Sequence, residues 1–189
     1  MRHYHFWMIK KRQTCRLYLD VNYMQCYAEF GTQKRRNIVM IAIANDHSAL
    51  ELKKEIKSLL DEMGLEYKDF GTYEPVSCHY PIYAARAARA VASGECEFGI
   101  LLCGTGLGVA LAANKIKGIR CVTCSETVSA GLARQHNNAN MLAMGARVIG
   151  PELAKAIART FLTTEFDSGG RHSIRVGMIE ALERGESIE

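Results

Sequence analysis

The chain has 189 residues, of which 48% are hydrophobic and 23% charged, a composition typical of a globular protein with a sizeable core. Its apolar runs are far shorter than a membrane span, and seven irregularly spaced cysteines indicate reduced intracellular thiols, as in a cytoplasmic protein, rather than a secreted disulfide framework. The net charge of +4 arises from residues 1–37, which carry +6, whereas residues 38–189 carry −2. The main part of the chain therefore has no basic excess that would favour binding to nucleic acid.

Residues 1–37 differ from the rest of the chain. They contain the only tryptophan, two of the seven cysteines and no clear hydrophobic period of 2 or 3.6. They are rich in arginine but lack serine, which weakens an organelle-targeting interpretation. A misassigned start, with Met40 as the initiator, a targeting leader and a genuine appendage all remain open. We treat 1–37 as an N-terminal extension of uncertain status, and N-terminal sequencing of the native protein would distinguish these interpretations.

Strands and helices alternate regularly from residue 38 onwards. The pattern predicts strands over 38–44, 66–70, 98–102, 119–124 and 141–144, and helices over 49–63, 81–92, 107–115, 126–136, 152–161 and 171–184. Such alternation is typical of a single-domain, Rossmann-like open parallel sheet with helices on both faces, an αβα sandwich spanning residues 38–189. Ligands bind such sheets at the carboxyl ends of the strands, so candidate functional residues are sought there.

A glycine-rich run, residues 103–108, follows the third predicted strand and opens a helix. Its sequence is Cys-Gly-Thr-Gly-Leu-Gly, which leaves backbone N–H groups accessible beside a helix N-terminus and so predicts an anion cradle next to the Cys103 thiol. A cysteine ending a buried strand is more often a small hydrophobic residue. The run also resembles a dinucleotide fingerprint, but the third fingerprint glycine would fall at Val109, which disfavours a nucleotide.

Three further segments carry candidate functional residues, which are expected to cluster at strand ends. They are Asn45-Asp46-His47, Arg134-Gln135-His136-Asn137, and Gly169-Gly170-Arg171-His172 followed by Arg175. A purely structural interpretation exists for each, since Asp46 can cap a helix and His136 can interact with a helix C-terminus. Arg171 and Arg175 share one helix face and repel one another, which favours an anionic partner, although a solvated face is the default. The Cys121-x-x-Cys124 pair lies in or just after a strand and is interpreted as core packing rather than a redox or zinc site.

Taken together and in order, these segments resemble the type B ribose-5-phosphate isomerase family, which includes galactose-6-phosphate isomerase subunits. The similar stretches are NDHSALELK at 45–53, YPIYA at 80–84, LLCGTGLGVALAANKIKGIR at 101–120, RQHNNANMLAMGARVIG at 134–150 and GGRHSIRV at 169–176. The resemblance covers about 38–184 and leaves out 1–37. It implies interconversion of ribose 5-phosphate and ribulose 5-phosphate in the pentose phosphate pathway, through a cis-enediolate and without a metal or organic cofactor.

The resemblance also implies a role for individual residues. Cys103, as a thiolate, would remove the proton from carbon 2, Thr105 would bind hydroxyls or relay a proton, and His136, with Asp46 nearby, would assist ring opening. The residues expected to bind substrate are His47, Tyr80, Gly104, Gly106, Gly108, Asn137, Arg147, Arg171 and Arg175. Among these, the arginines and His47 would hold the phosphate, and the glycine N–H groups would hold the enediolate oxygen. Some family members use a glutamate where this chain has Val109, so the chain resembles the cysteine-dependent group.

The family resemblance further implies an active site shared between two subunits, with His136 and the terminal arginines supplied by the partner chain. A homodimer, or a tetramer of two dimers, is therefore expected, with a sugar phosphate as the partner and neither nucleic acid nor membrane. His79 stands where many relatives carry aspartate, which leaves the substrate preference open. The alternatives are a hexose-phosphate isomerase acting on allose 6-phosphate or galactose 6-phosphate, and a non-catalytic sugar-phosphate-binding module.

Overall fold

The computed structural model describes residues 40–189. The predicted boundary after residue 37 and the first two residues of the first predicted strand lie outside the described residues. The strands are β1 (Met40–Asn45), β2 (Glu66–Asp69), β3 (Phe98–Cys103), β4 (Cys121–Thr123) and β5 (Met141–Gly145). The α-helices are α1 (Leu50–Glu62), α2 (Tyr80–Ala92), α3 (Leu107–Ala113), α4 (Thr127–Asn137), α5 (Pro151–Thr163) and α6 (Arg171–Glu183). Every predicted element is present, and a short 3-10 helix, His47–Ala49, adds a turn that was not predicted.

The five strands form one parallel sheet in the order β2-β1-β3-β5-β4. The chain moves outward from β1 to β2 and then returns to place β3 on the other side of β1. The carboxyl ends of β1 and β3 therefore flank the point where the winding direction reverses, which is where open sheets bind ligands. The Asp46 N–H donates to the Leu102 carbonyl at 3.1 Å and fixes these two ends side by side.

Helices cover both faces of the sheet, so the predicted αβα sandwich is confirmed. Alternate strand residues point to opposite faces. The larger buried side chains, such as Ile43 and Phe161, pack with α1, α4 and α5 on one face. The other face is rich in alanine, such as Ala44 and Ala88, and packs against α2 and α3. No helix within residues 40–189 is both long and apolar enough to cross a bilayer.

A buried ion pair anchors the connection from β2 to α2, which passes over the carboxyl edge of β1. The Lys53 ammonium lies 3.1 Å from Asp69 Oδ2 and donates to the Thr72 carbonyl at 2.8 Å. Burial alone would raise the pKa of Asp69, but hydrogen bonds from the Gly71 N–H, Lys53 and Tyr73 outweigh burial and lower it. The carboxylate therefore stays ionised and holds the start of the connection that leads into α2.

Candidate active site

Cys103 is the last residue of β3 and is almost fully buried. Its sulfur accepts a hydrogen bond at 3.1 Å from the N–H of Gly106, which is the residue immediately before α3. This contact fixes the position of the sulfur beside the glycine run. The position predicted for a base is therefore occupied by a thiol that is sheltered from water and held by the glycine run.

The cradle formed by residues 103–108 depends on close backbone contacts. Gly106 has a φ of +79°, and a Cβ placed there would approach Thr123 Cγ2 and the Met144 carbonyl carbon at 3.0 Å. Gly145, at the end of β5, presses directly against the backbone of Thr105, since an added Cβ would lie 2.7 Å from the Thr105 carbonyl carbon. The Thr105 side chain is exposed on the outer side of the cradle. Gly145 is thus a supporting residue that the sequence analysis missed. Its position directly after a predicted strand could have indicated that it lies near the site.

We expect Gly145→Ala to displace Thr105 and to weaken the cradle. The added methyl group meets backbone atoms, which cannot rotate away. The resulting overpacking should lower the free energy of unfolding by about 1–3 kcal/mol. The variant should also lose about tenfold or more in turnover, because the cradle N–H groups move with Thr105. Gly150→Ala is the matched control, since an added Cβ there meets nothing within 4 Å. Equal stability and turnover in the two variants would contradict the cradle's dependence on Gly145.

Asp46 and His47 lie at the end of β1, beside the end of β3. The Asp46 carboxylate accepts hydrogen bonds from the Ser48 N–H at 2.9 Å and from the Ser48 hydroxyl at 2.5 Å, so it does cap the 3-10 helix. His47 Nδ1 accepts a hydrogen bond from the Cys78 N–H at 3.4 Å, and the Cys78 sulfur lies 3.8 Å from the same nitrogen. This contact ties the imidazole to the β2–α2 connection, and nothing in the sequence pattern indicated it.

Tyr80 and Arg147 border the glycine run on two sides. The Tyr80 ring occupies the space beside Gly108, where an added Cβ would lie 2.7 Å from the ring. The Arg147 N–H donates to the Gly104 carbonyl at 3.0 Å, and its side chain lies 3.5 Å from where a Gly104 Cβ would be. The structure therefore brings nine of the predicted site residues to the carboxyl edge of the sheet. These are Asp46, His47, Tyr80, Cys103, Gly104, Thr105, Gly106, Gly108 and Arg147.

The remaining predicted site residues form a second cluster near the amino edge of the sheet. His136 and Asn137 end α4, and the turn that follows is bonded to the start of β3, where the Gly99 N–H donates to the Asn140 carbonyl at 3.0 Å. Strand rise places Gly99 about 13 Å below Cys103 along β3. Within one chain, His136 is therefore not near Asp46 or Cys103. The expected pairing of His136 with Asp46 requires a second chain.

The second cluster is organised by a stacked pair of imidazoles. The His136 and His172 rings are 4.2 Å apart and nearly parallel, with an interplanar angle of 3°. Arg171 and Arg175 flank His172 on α6, so the stack sets His136 beside the two arginines. Burial lowers the pKa of His172, and the neighbouring His136, Arg171 and Arg175 lower it further against a smaller opposing effect of Asp167. A neutral His172 ring is suited to this stacking, and the sequence analysis included His172 in a candidate segment without assigning it a role.

The pair formed by Cys121 and Cys124 has no features of a redox site. Cys121 lies in β4 and Cys124 just after it, and both are buried. Burial raises the pKa of Cys121 to about 12 and, together with Glu126, raises that of Cys124 to about 11. These thiols stay protonated near neutral pH, consistent with core packing. Among residues 40–189, His, Cys, Asp and Glu side chains form no group of three or more that could hold a metal ion.

Comparisons with known proteins show which family this chain is similar to. Residues 41–179 match the sequence model of a family described as Ribose/Galactose Isomerase. Ribose-5-phosphate isomerase B of Escherichia coli is 51% identical over 144 residues, which span 76% of this chain and 96% of that protein. A galactose-6-phosphate isomerase subunit of Clostridium acetobutylicum is 40% identical over 68% of this chain and 74% of that protein. The structure of Clostridium thermocellum ribose-5-phosphate isomerase B superposes with a TM-score of 0.76 and 47% identity, covering 79% of this chain and all of that one.

Proposed function

The chain belongs to the ribose/galactose isomerase family, and from this premise we propose that it interconverts D-ribose 5-phosphate and D-ribulose 5-phosphate as an aldose–ketose isomerase. The observation that carries the proposal is the buried Cys103 sulfur at a glycine cradle, at the point where the sheet's winding reverses. An isomerase of this kind needs a base at carbon 2 and hydrogen-bond donors for the enediolate oxygen. We assign both roles to residues 103–108.

In the proposed reaction, the Cys103 thiolate takes the proton from carbon 2 of the open-chain aldose. The electrons of the broken C–H bond form the enediolate, whose oxygen is held by backbone N–H groups of the cradle. The thiol, whose proton exchanges with solvent during the lifetime of the enediolate, then protonates carbon 1, and a proton moves between the two oxygens with the help of Thr105. No net oxidation occurs, so the proposed reaction needs no redox cofactor, and the backbone N–H groups of the cradle are assigned the role that a metal ion would otherwise have at the enediolate oxygen.

Ring opening and phosphate binding are assigned to both clusters. We propose that His136 donates and accepts the proton that opens the furanose, that Asn137 positions hydroxyls, and that Arg171 and Arg175 bind the phosphate together with His47 and Arg147. Arginine suits this role because its fork binds phosphate through two hydrogen bonds. Because the two clusters lie at opposite edges of one sheet, a complete site requires the amino edge of one chain to face the carboxyl edge of another.

We propose that this arrangement is met in a homodimer, which can pair further into a tetramer. Support comes from apolar side chains left exposed on α6, which carries Arg171 and Arg175, and on α3, which follows the glycine run. On α6, Ile174 is 66% exposed and Leu182 54% exposed, and on α3, Leu107 is 58% and Leu111 67% exposed. Apolar surface of this kind marks protein interfaces. We place the enzyme in the cytoplasm, in the pentose phosphate pathway, with a domain over 38–189 and with neither nucleic acid nor membrane as a partner.

The substrate is tested by comparing kcat/KM for ribose 5-phosphate, allose 6-phosphate and galactose 6-phosphate, each with and without a chelator. We expect ribose 5-phosphate to be preferred by about tenfold or more, since one additional carbon unit in a fitted pocket typically changes binding by that amount. The chelator should leave the rate unchanged. A preference for a hexose phosphate would favour the alternative, which His79, exposed at the start of α2, keeps open. Binding of ribose 5-phosphate without turnover would favour a non-catalytic module.

A further inference from the structure

Arg134 is a buried cation that the proposed reaction does not use. It lies two residues before His136 on α4 and is 7% exposed. Its guanidinium carbon is 4.6 Å from the centre of the Phe98 ring and 5.7 Å from that of Phe161. Among residues 40–189 no carboxylate forms an ion pair with it, and its Nε has no hydrogen-bond partner.

Packing alone does not account for a charge at this place. Removing a guanidinium from water costs several kcal/mol, and apolar side chains of similar volume often replace buried ions without loss of stability. Burial lowers the pKa of Arg134, with a smaller opposing effect from Glu97, as expected of a cation held away from water. The contacts that the guanidinium makes should therefore explain why position 134 carries a charge.

Those contacts are directed at the turn that follows His136 and Asn137. Arg134 Nη1 donates to Asn138 Oδ1 at 2.9 Å and to the Ala139 carbonyl at 2.6 Å. Asn138 has a φ of 47°, and it is the one residue other than glycine with a positive φ in the part of the chain that the structure describes. The backbone closes the same turn, since the Asn138 N–H donates to the Arg134 carbonyl at 3.1 Å. The left-handed turn is thus held by both the backbone and the side chain of Arg134.

We propose that Arg134 is a positioning residue for His136 and Asn137, and that it acts by locking the left-handed turn at Asn138. This inference rests on the proposed function, in which His136 opens the sugar ring. The turn sets where α4 ends and how the His136 ring meets His172. If the turn relaxes, His136 loses the orientation with which it is proposed to enter the site of a second chain. The arginines of α6, which are proposed to bind the phosphate, are not directly affected.

The test is a double-mutant cycle in the full chain with Arg134→Met, His136→Ala and the combined variant. We expect Arg134→Met to lower kcat for ribose 5-phosphate by about 10- to 100-fold, because small misplacements of a catalytic group have effects of this size. KM should change by less than about threefold. Because Arg134 acts through His136, the combined variant should be no slower than His136→Ala alone. Additive losses would show that Arg134 acts elsewhere and would overturn the proposal.

A second variant and a control separate positioning from lost stability. Asn138→Gly keeps the left-handed backbone but removes one acceptor, and should lower kcat by roughly 3- to 10-fold in a folded protein. Leu59→Ala removes a buried side chain of α1, a helix that contributes no hydrogen bond to the turn, and should lower the melting temperature without lowering kcat. A kcat loss in Leu59→Ala as large as in Arg134→Met would contradict positioning.

The His136 ring signal in a ¹H–¹³C NMR spectrum gives a readout that does not depend on turnover. We expect the signal to shift or broaden in Arg134→Met and Asn138→Gly but not in Leu59→Ala. An unchanged His136 signal in Arg134→Met would overturn the proposal even if activity fell. If the wild-type chain failed to isomerise ribose 5-phosphate while the signal shifted as expected, the proposed substrate would be wrong and the positioning role of Arg134 would stand.

Discussion

Replacing Cys103 by alanine is expected to lower kcat for ribose 5-phosphate by on the order of 10²- to 10⁴-fold, the usual contribution of a general base. The sulfur is the group placed to take the carbon-2 proton, and its bond from the Gly106 N–H holds it in the cradle. Alanine retains the buried methylene and removes only the sulfur, so substrate binding should change little. A steady-state assay should therefore show a large loss in kcat with KM within a few-fold of the wild-type value.

Cys96→Ala is the matched control for this substitution. Cys96 is as buried as Cys103 but precedes β3, at the opposite end of that strand. The control should turn over at close to the wild-type rate, because the lost sulfur is remote from the cradle. Turnover by Cys103→Ala within about tenfold of Cys96→Ala would refute Cys103 as the base.

Co-expression of Cys103→Ala and His136→Ala chains is expected to restore activity that neither variant has alone. In a homodimer with sites made from both chains, each mixed dimer contains one site that carries both defects and one that carries neither. Random pairing makes half of the dimers mixed, so the mixture should recover about a quarter of wild-type activity. The structure motivates this prediction, because His136 and Cys103 lie at opposite edges of the sheet within one chain.

The measurement compares turnover of the co-expressed mixture with that of each variant purified alone, after light scattering has shown the oligomeric state. If the co-expressed mixture were as inactive as each variant alone, a site shared between two chains would be contradicted. Recovery above the level of either single variant cannot arise if each chain builds its own site. The chain that carries both substitutions is the control. Co-expressed with either single variant, it should give no more activity than that single variant gives alone.

The strands and helices were predictable from sequence because each carries a local signal. Gly64 ends α1, a proline stands at the start of α2 and α5, and apolar periods distinguish strand from helix. The strand order was not predictable in this way. The insertion of β5 between β3 and β4 depends on contacts between residues far apart in sequence, such as Leu101 beside Ala143.

The candidate site was predictable only in part for the same reason. Cys103 and Asp46 follow strands, so their common edge follows from the parallel sheet. The position of His136 at the other edge also follows from topology, since a helix that connects parallel strands must return to the amino edge. The contacts of Cys78 with His47, Gly145 with Thr105 and His172 with His136 have no local signature, because they join separate elements.

Exchange of the carbon-2 hydrogen of ribose 5-phosphate in D₂O, followed by ¹H NMR, tests the assigned chemistry most directly. With the full wild-type chain, deuterium should appear at carbon 2 of the aldose and at carbon 1 of ribulose 5-phosphate as the two sugars interconvert. Cys103→Ala should bind the substrate without measurable exchange. Wild-type binding with neither exchange nor interconversion of the two sugars, or exchange by Cys103→Ala at the wild-type rate, would contradict an enediolate formed by the Cys103 thiolate.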